Sequence, residues 1–184
     1  MRHIFAIGGI PGTGKTTLVK NALNNLALDW EPAKPAELLD GVYSKARNCY
    51  VFGKYAPWYD VEGYAQGTDK LSMAVQPKAI EFIAQTNSSI IFEGDRLFTA
   101  SLLETCLDLP ETELHVIILE SDDVEQRYKD RGSEQSDKFI QGRKTKYNNI
   151  AKNFLLWENI ETHKHNTAED TESIVRLMDI GITL

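Results

Sequence analysis

Short apolar runs alternate with amphipathic stretches along most of the chain. Residues 3–8, 88–93 and 114–120 are apolar runs of strand length, and each predicts a buried strand. Buried strands that alternate with helices are typical of a parallel sheet with both faces covered. The pattern therefore predicts an α/β fold with a central, mainly parallel sheet. Helical spacing of apolar residues predicts helices over residues 15–28, 75–86, 97–107, 122–131, 137–158 and 168–178.

Three segments are less regular. Apolar groups on either side of the polar residues 45–48 predict a β-hairpin or a strand pair within residues 36–55. Residues 56–72 contain a proline and two glycines, and they predict an irregular loop. A weak strand is expected over residues 160–165.

Length, charge and cysteine content exclude several classes of protein. A chain of 184 residues has room for one well-cored domain, so residues 1–184 are expected to form a single domain. The net charge of -7 is not that of a polycation that coats nucleic acid. The two cysteines are too few for a disulfide scaffold, and we expect buried thiols in a reducing compartment. The first apolar run is too short for a signal peptide or a membrane span, which predicts a cytoplasmic protein without a membrane partner.

Residues 9–16 match the pattern G-x-x-x-x-G-K-[ST] at every fixed position. Glycines let backbone N–H groups converge on a phosphate, and the start of the following helix adds the positive end of its dipole. Lys15 is then placed to bridge the β- and γ-phosphates as a catalytic residue, and the Thr16 hydroxyl to bind Mg²⁺. A glycine-rich turn with an incidental lysine is the alternative. The predicted nucleotide-binding residues are Gly9, Ile10, Pro11, Gly12, Thr13, Gly14, Lys15, Thr16 and Thr17.

This loop and a second short segment resemble the nucleotide-kinase group of P-loop proteins, thymidylate kinases in particular. In that family the third strand ends in Asp-Arg-aromatic, where this chain has Glu93-Gly94-Asp95-Arg96-Leu97. The resemblance implies a three-layer P-loop NTPase fold of the nucleoside-monophosphate-kinase type with a lid, and ATP with Mg²⁺ as the phosphoryl donor. It also implies that Asp95 helps to hold Mg²⁺ or the acceptor, and that Arg96 steers the acceptor. Leu97 replaces the family's aromatic residue, so recognition of a thymidylate 5′-phosphate is not implied.

Other roles remain open for the carboxylates of this segment. Asp95 can instead cap the N-terminus of the following helix. Glu93 lies on the same face of the strand as Asp95, and it competes with Asp95 as a catalytic residue, either as an Mg²⁺ ligand or as the general base. Asp69 is a third candidate for the base.

Two arginines follow the strand predicted over residues 114–120. The segment 120–132 resembles the lead into a kinase lid, which places a lid at about 127–142. Arg127 and Arg131 lie on one face of the predicted helix, and they are candidate catalytic residues that close over the transferring phosphoryl group. A solvated charged helix is the alternative.

The helix predicted over residues 137–158 has an apolar stripe that is expected to be buried. Arg143 interrupts this stripe, and it either extends to solvent at the rim or reaches the phosphates as a substrate-binding residue. The resemblance also implies that the loop 163–171 packs on adenine. The stripe consists of Phe139, Tyr147, Ile150, Phe154 and Trp157.

Aromatic residues are concentrated just before a small polar motif at residues 67–72. These aromatics, Trp58 among them, can stack a nucleobase while Thr68, Asp69 and Ser72 hydrogen-bond its edge. Ordinary aromatic packing is the alternative. The aromatic residues are Tyr50, Phe52, Tyr55, Trp58, Tyr59 and Tyr64.

A basic strip extends over residues 127–152, which hold eight lysines and arginines against three acids. Such a strip can follow a phosphate backbone, although an ATP lid also explains part of it.

Taken together, residues 9–16, 93–96 and 67–72 resemble the 5-hydroxymethyluracil DNA kinases of bacteriophages, which belong to the thymidylate-kinase-like group. The resemblance implies ATP-dependent phosphorylation of the hydroxymethyl group of that base within DNA, in the cytoplasm of the host. The reaction is a step in thymidine hypermodification that shields viral DNA from restriction. A kinase of a free nucleotide or nucleoside is the second hypothesis. An acceptor-independent P-loop ATPase or switch is the third, and the sequence leaves the oligomeric state open.

Overall fold

One seven-stranded sheet organises the residues that the computed structural model describes, which are 1–63, 66–130 and 136–183, without the side chains of 128–130 and 137. The strands lie in the order β2-β3-β4-β5-β1-β6-β7. Neighbours from β4 to β7 pair in parallel, whereas β2, β3 and β4 pair antiparallel. The predicted α/β fold with a mostly parallel sheet is therefore confirmed. The elements in chain order are β1 Arg2–Gly8, α1 Lys15–Leu26, β2 Glu31–Ala36, β3 Leu39–Ser44, β4 Cys49–Phe52, α2 Val75–Gln85, β5 Ser89–Glu93, α3 Ala100–Leu107, β6 Thr112–Glu120, α4 Val124–Asp130, α5 Asp137–Ala151, β7 Ile160–Lys164 and α6 Ala168–Thr183.

Helices cover both faces of the sheet because its central strands are apolar on both sides. In β1, Ile4 and Ala6 join the core beneath α2, α3 and α5. Phe5 and Ile7 point to the opposite face and join the core beneath α1 and α6. Two cores of this kind are compatible with a three-layer α/β fold.

The chain reverses its direction of travel across the sheet at the carboxyl ends of β1 and β5. From β1 the chain crosses to β2 at one edge, and from β5 it crosses to β6 on the other side of β1. Connections that diverge in this way leave a crevice outside the strand ends, which is where open α/β sheets bind ligands. The loops after β1 and β5 therefore line the candidate site.

Strand β2 is absent from the sequence-based prediction. Its six residues include two prolines, and half of them are exposed. Proline cannot donate a hydrogen bond to a neighbouring strand, so it is confined to edge strands of this kind. A propensity argument therefore misses β2.

The helix predicted over residues 137–158 ends at Ala151, and most of its predicted stripe is not buried. Tyr147 and Ile150 are buried, but Phe139 is 40% exposed, Phe154 77% and Trp157 67%. After α5 the chain turns, and Leu156 becomes the buried anchor. The stripe prediction was wrong for Phe154 and Trp157 because the periodicity was extended beyond the end of the helix, and wrong for Phe139 because that ring, in the first turn of α5, lies against the Arg143 guanidinium and not in the core.

The helix predicted over residues 97–107 begins only at Ala100. Its N-cap is Thr99, whose hydroxyl accepts a hydrogen bond from the Leu102 backbone N–H. Asp95 is therefore not the cap, which removes that alternative.

Within the described ranges, none of the helices combines the length and the apolar character that crossing a bilayer requires.

Candidate active site

The loop of residues 9–14 connects β1 to α1 and is shaped by glycines with positive φ. Gly9, Gly12 and Gly14 have φ values of 144°, 85° and 89°, in the region that L side chains rarely adopt. A Cβ at Gly14 would lie 2.5 Å from His165 Nδ1, so the position also needs glycine for space. Helix α1 begins at the next residue, Lys15, so the loop leads into a helix N-terminus, which favours anions.

Lys15 lies across this loop. Its Nζ donates to the Gly9 carbonyl at 2.8 Å and to the Ile10 carbonyl at 3.3 Å. The Thr13 hydroxyl donates to the same Ile10 carbonyl at 2.9 Å. The sequence-predicted residues of the loop are thus brought together around one concave backbone segment.

Thr16 and Glu93 form the central contact of the site. The Thr16 hydroxyl, in the first turn of α1, donates to Glu93 Oε1 at 2.9 Å. The Tyr55 hydroxyl donates to the same oxygen at 3.3 Å. Glu93 is the last residue of β5, and its neighbour in the β1–β5 pairing is Ile7, so the sheet register delivers its carboxylate beside the loop. Tyr55 was not predicted in this role, because nothing local marks a tyrosine that lies 38 positions away.

The environment of Glu93 favours a shared or neutral carboxyl group. Burial raises its pKa to about 7, although the charge of Lys15 and the hydrogen bond from Thr16 act in the opposite direction. The nearby charge of Asp69 raises the pKa further. A carboxyl with a pKa so far above its ordinary value is a typical feature of functional sites.

The polar motif at residues 67–72 forms the wall of the site next to Glu93. Gly67 has to be glycine, because a Cβ there would lie 2.4 Å from Glu93 Oε1. Thr68 is buried, and its hydroxyl donates to the Glu93 carbonyl at 2.5 Å. The Ser72 hydroxyl accepts a hydrogen bond from the Ala74 backbone just before α2. These contacts give Thr68 and Ser72 structural roles, and their contact with an acceptor base stays a prediction.

Asp95 binds cations of the protein with both carboxylate oxygens. Oδ1 accepts from Lys146 Nζ at 3.1 Å and from the Tyr147 hydroxyl at 2.9 Å, and Oδ2 accepts from Arg143 Nε at 3.1 Å. Burial alone raises the pKa of Asp95, but Lys146, Tyr147 and Arg143 together hold it below its usual range. Asp95 thus anchors α5 to the end of β5. Of the two carboxylates considered for a metal with Thr16, the geometry favours Glu93.

Arg143 and Arg96 both lie in the cleft in front of the loop. Arg143 pairs with Asp95 and stacks on Phe139, with the guanidinium carbon 4.7 Å from the ring centroid. Arg96 donates to the Asp69 carbonyl at 2.9 Å and contacts the Met73 sulfur. Its Nε is buried and has no hydrogen-bond partner among the described residues.

This cleft has a volume of 680 Å³ and joins the loop to residues after β5. It is large enough for a nucleotide-sized group. Its polar lining includes Lys15, Thr16, Asp69, Glu93, Arg96 and Arg143.

A second cavity, of 620 Å³, lies on the other side of the loop against α6, and we call it the α6 groove. It is lined by Gly14 and Thr17 from the loop and α1, and by part of the segment 163–171. The resemblance places this same segment beside adenine. The loop thus separates two cavities, the cleft and the α6 groove.

Arg127 and His165 support the loop from the side of the α6 groove. Arg127 donates to the Gly12 carbonyl and to the His165 carbonyl, both at 3.2 Å. His165 Nδ1 lies 2.8 Å from the Thr13 carbonyl, which can only accept, so this nitrogen carries a proton. Burial lowers the pKa of His165, and the charge of Arg127 lowers it further. The sequence does not reveal the role of His165, because its contact spans 152 positions and a lone histidine has no motif.

If residues 9–16 bind ATP, as the resemblance implies, Arg127→Lys is expected to weaken ATP binding more than it slows phosphoryl transfer. Lysine keeps the positive charge, but its single ammonium group cannot replace the two guanidinium nitrogens that donate to the Gly12 and His165 carbonyls at the same time. Steady-state kinetics should show the KM for ATP raised about tenfold, with kcat changed by less than about threefold. A fall in kcat at unchanged KM would instead place Arg127 at the transferring phosphoryl group, as the lid interpretation holds.

Arg131 and Tyr64 lie outside the described residues, as do residues 131–135 of the predicted lid at 127–142 and the side chains of 128–130 and 137.

The five described residues of the aromatic group pack against protein. Tyr50, Phe52 and Tyr55 contact or belong to the two cores. The Trp58 indole N–H donates to the Trp30 carbonyl at 3.0 Å, and the Tyr59 hydroxyl donates to the Gly41 carbonyl at 2.7 Å. These contacts agree with ordinary packing, but Trp58 and Tyr59 are only partly buried, and stacking of a base on Trp58 stays a prediction.

The basic strip is divided in the structure. Arg143 and Lys146 are paired with Asp95, whereas Lys138, Lys144 and Lys152 are exposed. Among the basic residues of the strip whose side chains the structure describes, these three lysines are the exposed ones that an external polyanion can reach.

No protein-family model matches this chain, and no curated protein matches it. The resemblance to nucleotide kinases therefore rests on the residues named above.

Proposed function

We propose that this chain is a P-loop NTPase of the nucleoside-monophosphate-kinase type, which transfers the γ-phosphoryl group of ATP to an acceptor in the cleft. One observation carries the proposal: the Thr16 hydroxyl lies 2.9 Å from a buried carboxylate, Glu93, at the helix N-terminus where Lys15 crosses a glycine loop. A glycine-rich turn with no function has no need of a buried carboxylate at that point. The cost of burying it is understandable if it serves a ligand.

The donor is expected to lie along the loop with its nucleoside in the α6 groove. Backbone N–H groups of the loop and the dipole of α1 favour the phosphates. Polar side chains at the groove, including Asn21, Asn25 and Asn166, can hydrogen-bond a base and a ribose.

Magnesium fits the oxygen donors of this site. The Thr16 hydroxyl and the Glu93 carboxylate are hard ligands of the type that Mg²⁺ prefers, and we propose that both hold it, Glu93 in the place foreseen for Asp95. When bound, Mg²⁺ supplies charge neutralisation on the phosphate oxygens. Glu93 has to lose its proton to act as a ligand, so nucleotide binding with Mg²⁺ should strengthen as the pH rises through about 7.

The transfer forms a bond from the acceptor oxygen to the γ-phosphorus and breaks the bond to the β,γ-bridging oxygen. Lys15 stabilises the negative charge that develops on the departing and transferring groups. Asp95 holds Arg143 and Lys146 at the end of β5 and so acts as a positioning residue. Asp69, in the lining of the cleft, is the carboxylate that we propose receives the acceptor proton.

For the acceptor we propose the hydroxymethyl group of 5-hydroxymethyluracil in DNA, on the strength of the resemblance. The cleft opens beside α5, and the exposed Lys138 and Lys144 of that helix can contact a DNA backbone. A free nucleotide is the second candidate, because Arg96 and Arg143 line the cleft and guanidinium groups suit an acceptor phosphate.

Transfer from γ-labelled ATP separates these acceptors. Labelled product is expected with DNA that contains hydroxymethyluracil, but not with thymine DNA. Transfer to a free nucleotide alone would make the second candidate correct. ATP hydrolysis at the same rate with and without every acceptor would identify an ATPase and contradict the kinase assignment.

In the kinase, Asp69→Asn should impair transfer while the Kd for ATP stays unchanged.

The salt dependence of DNA binding tests the polymer acceptor independently. A Lys138→Ala, Lys144→Ala double variant should reduce the slope of log K against log salt by about 2, since each phosphate contact contributes about 0.9. The matched control is the double variant Lys34→Ala, Lys45→Ala, which removes two exposed lysines that are distant from α5 in the sequence. Equal slopes for both double variants would show that the exposed lysines of α5 do not contact DNA.

A further inference from the structure

Two histidines and a glutamate converge at the start of β1 and β6. His3 Nδ1 lies 3.1 Å from His115 Nε2, and the two oxygens of Glu113 lie 3.7 Å and 3.6 Å from these nitrogens. In the parallel pairing of β1 with β6, His3 is opposite Glu113 and Phe5 is opposite His115. The cluster therefore lies on the α6 face of the sheet, at the end of β1 away from the loop.

A hydrogen bond between the two ring nitrogens accounts for the 3.1 Å contact but not for the position of Glu113. Both carboxylate distances exceed the range of about 2.7–3.2 Å for hydrogen bonds between nitrogen and oxygen. His3 is only 4% exposed, so its ring is shielded from water. Two neutral imidazoles that face each other across 3.1 Å can share at most one proton.

We propose that His3, Glu113 and His115 bind a divalent transition metal of the Zn²⁺ class. Tetrahedral Zn²⁺ binds imidazole nitrogen at about 2.0–2.1 Å, so its donor atoms lie about 3.3–3.4 Å apart. The two ring nitrogens lie 3.1 Å apart, close to that spacing, and each has one Glu113 oxygen within 3.7 Å, Oε2 for His3 and Oε1 for His115. Two imidazoles and one carboxylate also suit Zn²⁺ better than Mg²⁺, which prefers oxygen donors alone.

The fold holds these donors ready for the metal. The His115 ring stacks on Phe5, with centroids 4.4 Å apart, and His3 stacks on His115 at 5.4 Å. Gly181 of α6 packs against the rings of Phe5 and His3. A Cβ at this position would lie 2.8 Å from the Phe5 ring and 3.2 Å from His3 Nδ1. The rings therefore lose little freedom when a metal binds, which favours affinity.

The carboxylate of Glu113 brings negative charge to the two imidazoles, and two imidazoles with one carboxylate are a ligand set that Zn²⁺ binds. Glu113 is about half exposed, so the fourth position of a tetrahedral site is open to water on that side.

This site is independent of the proposed phosphoryl transfer, which uses none of its residues. It joins the first strand to β6 beneath the last turns of α6, so a bound metal is expected to stabilise the fold. The zinc-bound form should then unfold at a higher temperature.

Zinc titration of the full chain, after treatment with a chelator, tests the proposal. Calorimetry with Mg²⁺ in excess should show one Zn²⁺ per chain, and Tm should rise with Zn²⁺. Glu113→Gln and His115→Gln should each weaken binding by at least about tenfold and abolish the rise in Tm. Substitution with Co²⁺ should give the visible spectrum of a tetrahedral site in the wild type only.

The matched control is His163→Gln, which removes a partly exposed imidazole paired with Glu161 at 2.9 Å on neighbouring β7. It should bind Zn²⁺ like the wild type. Circular dichroism without metal checks that the variants fold, and Glu113→Gln, at a half-exposed position, is the variant least prone to misfolding. Failure of the wild type to bind Zn²⁺ stoichiometrically would overturn the proposal, as would unchanged binding in Glu113→Gln and His115→Gln.

Discussion

Lys15→Ala is expected to abolish phosphoryl transfer while the protein remains folded. The ammonium lies at the loop, where it meets charge on the transferring group, and removal of one such electrostatic contact costs about 100- to 1000-fold in kcat. Its hydrogen bonds to the Gly9 and Ile10 carbonyls are the structural contribution that is lost, at about 1 kcal/mol of unfolding free energy. Transfer from labelled ATP and denaturant unfolding measure the two effects separately.

The control for this variant is Lys78→Ala. Lys78 is exposed on α2 and pairs with Glu81 at 3.4 Å, away from the cleft. It should transfer phosphate at the wild-type rate. Activity of Lys15→Ala within a few-fold of wild type, in a folded protein, would contradict the assignment of residues 9–16 to the phosphates of the donor.

Glu93→Gln is expected to make the protein more stable and less active. The folded-state pKa of Glu93 is about 7, against an ordinary value of 4.5, so the folded chain binds a proton more tightly than the unfolded chain does. The unfolding free energy of the wild type should therefore fall as the pH rises from about 4.5 to about 7. Glutamine resembles the protonated acid and escapes this loss. At pH 8 the variant should be more stable than the wild type by up to about 3 kcal/mol, and at pH 4 the two should be equal.

The same substitution removes a proposed ligand of Mg²⁺. The rate of phosphoryl transfer should fall by at least about 100-fold, because the carboxylate can no longer help to hold Mg²⁺ beside the phosphates. Glu81→Gln, an exposed carboxylate on α2, is the control, and it should change neither the stability profile nor the rate. Denaturant unfolding across pH and a magnesium titration of activity give both readouts. A parallel loss of stability and activity at pH 8 would mean that Glu93 is a structural carboxylate.

Sequence patterns predict structure reliably where the interactions that form an element lie within one segment of the chain. The buried strand that ends at Gly8, the turn of residues 9–14 and the helix from Lys15 are adjacent in sequence, so their pattern is sufficient to predict them. The hairpin of β3 and β4 around residues 45–48 was predicted correctly for the same reason.

The predicted helix over residues 137–158 was too long, because its apolar spacing continues past the residue at which α5 ends. Helical spacing continues beyond Ala151 to Phe154 and Trp157, yet both side chains are exposed because the chain turns to bury Leu156. Strand β2, rich in proline, forms only because β3 offers it an edge. In both places tertiary packing overrides the propensity of the segment.

By itself, the sequence determined the alternation of strands and helices, and the loop that ends in Lys15 and Thr16. Only the tertiary structure decided which carboxylate faces Thr16, since the β1–β5 register brings Glu93 there and α5 occupies Asp95. It also decided that His165 supports the loop from 152 positions away. Hydrophobic periodicity and glycine conformation are properties of neighbouring residues, and so they can be predicted from the sequence. Partner choice and pKa depend on burial and on charges that only the folded chain brings together.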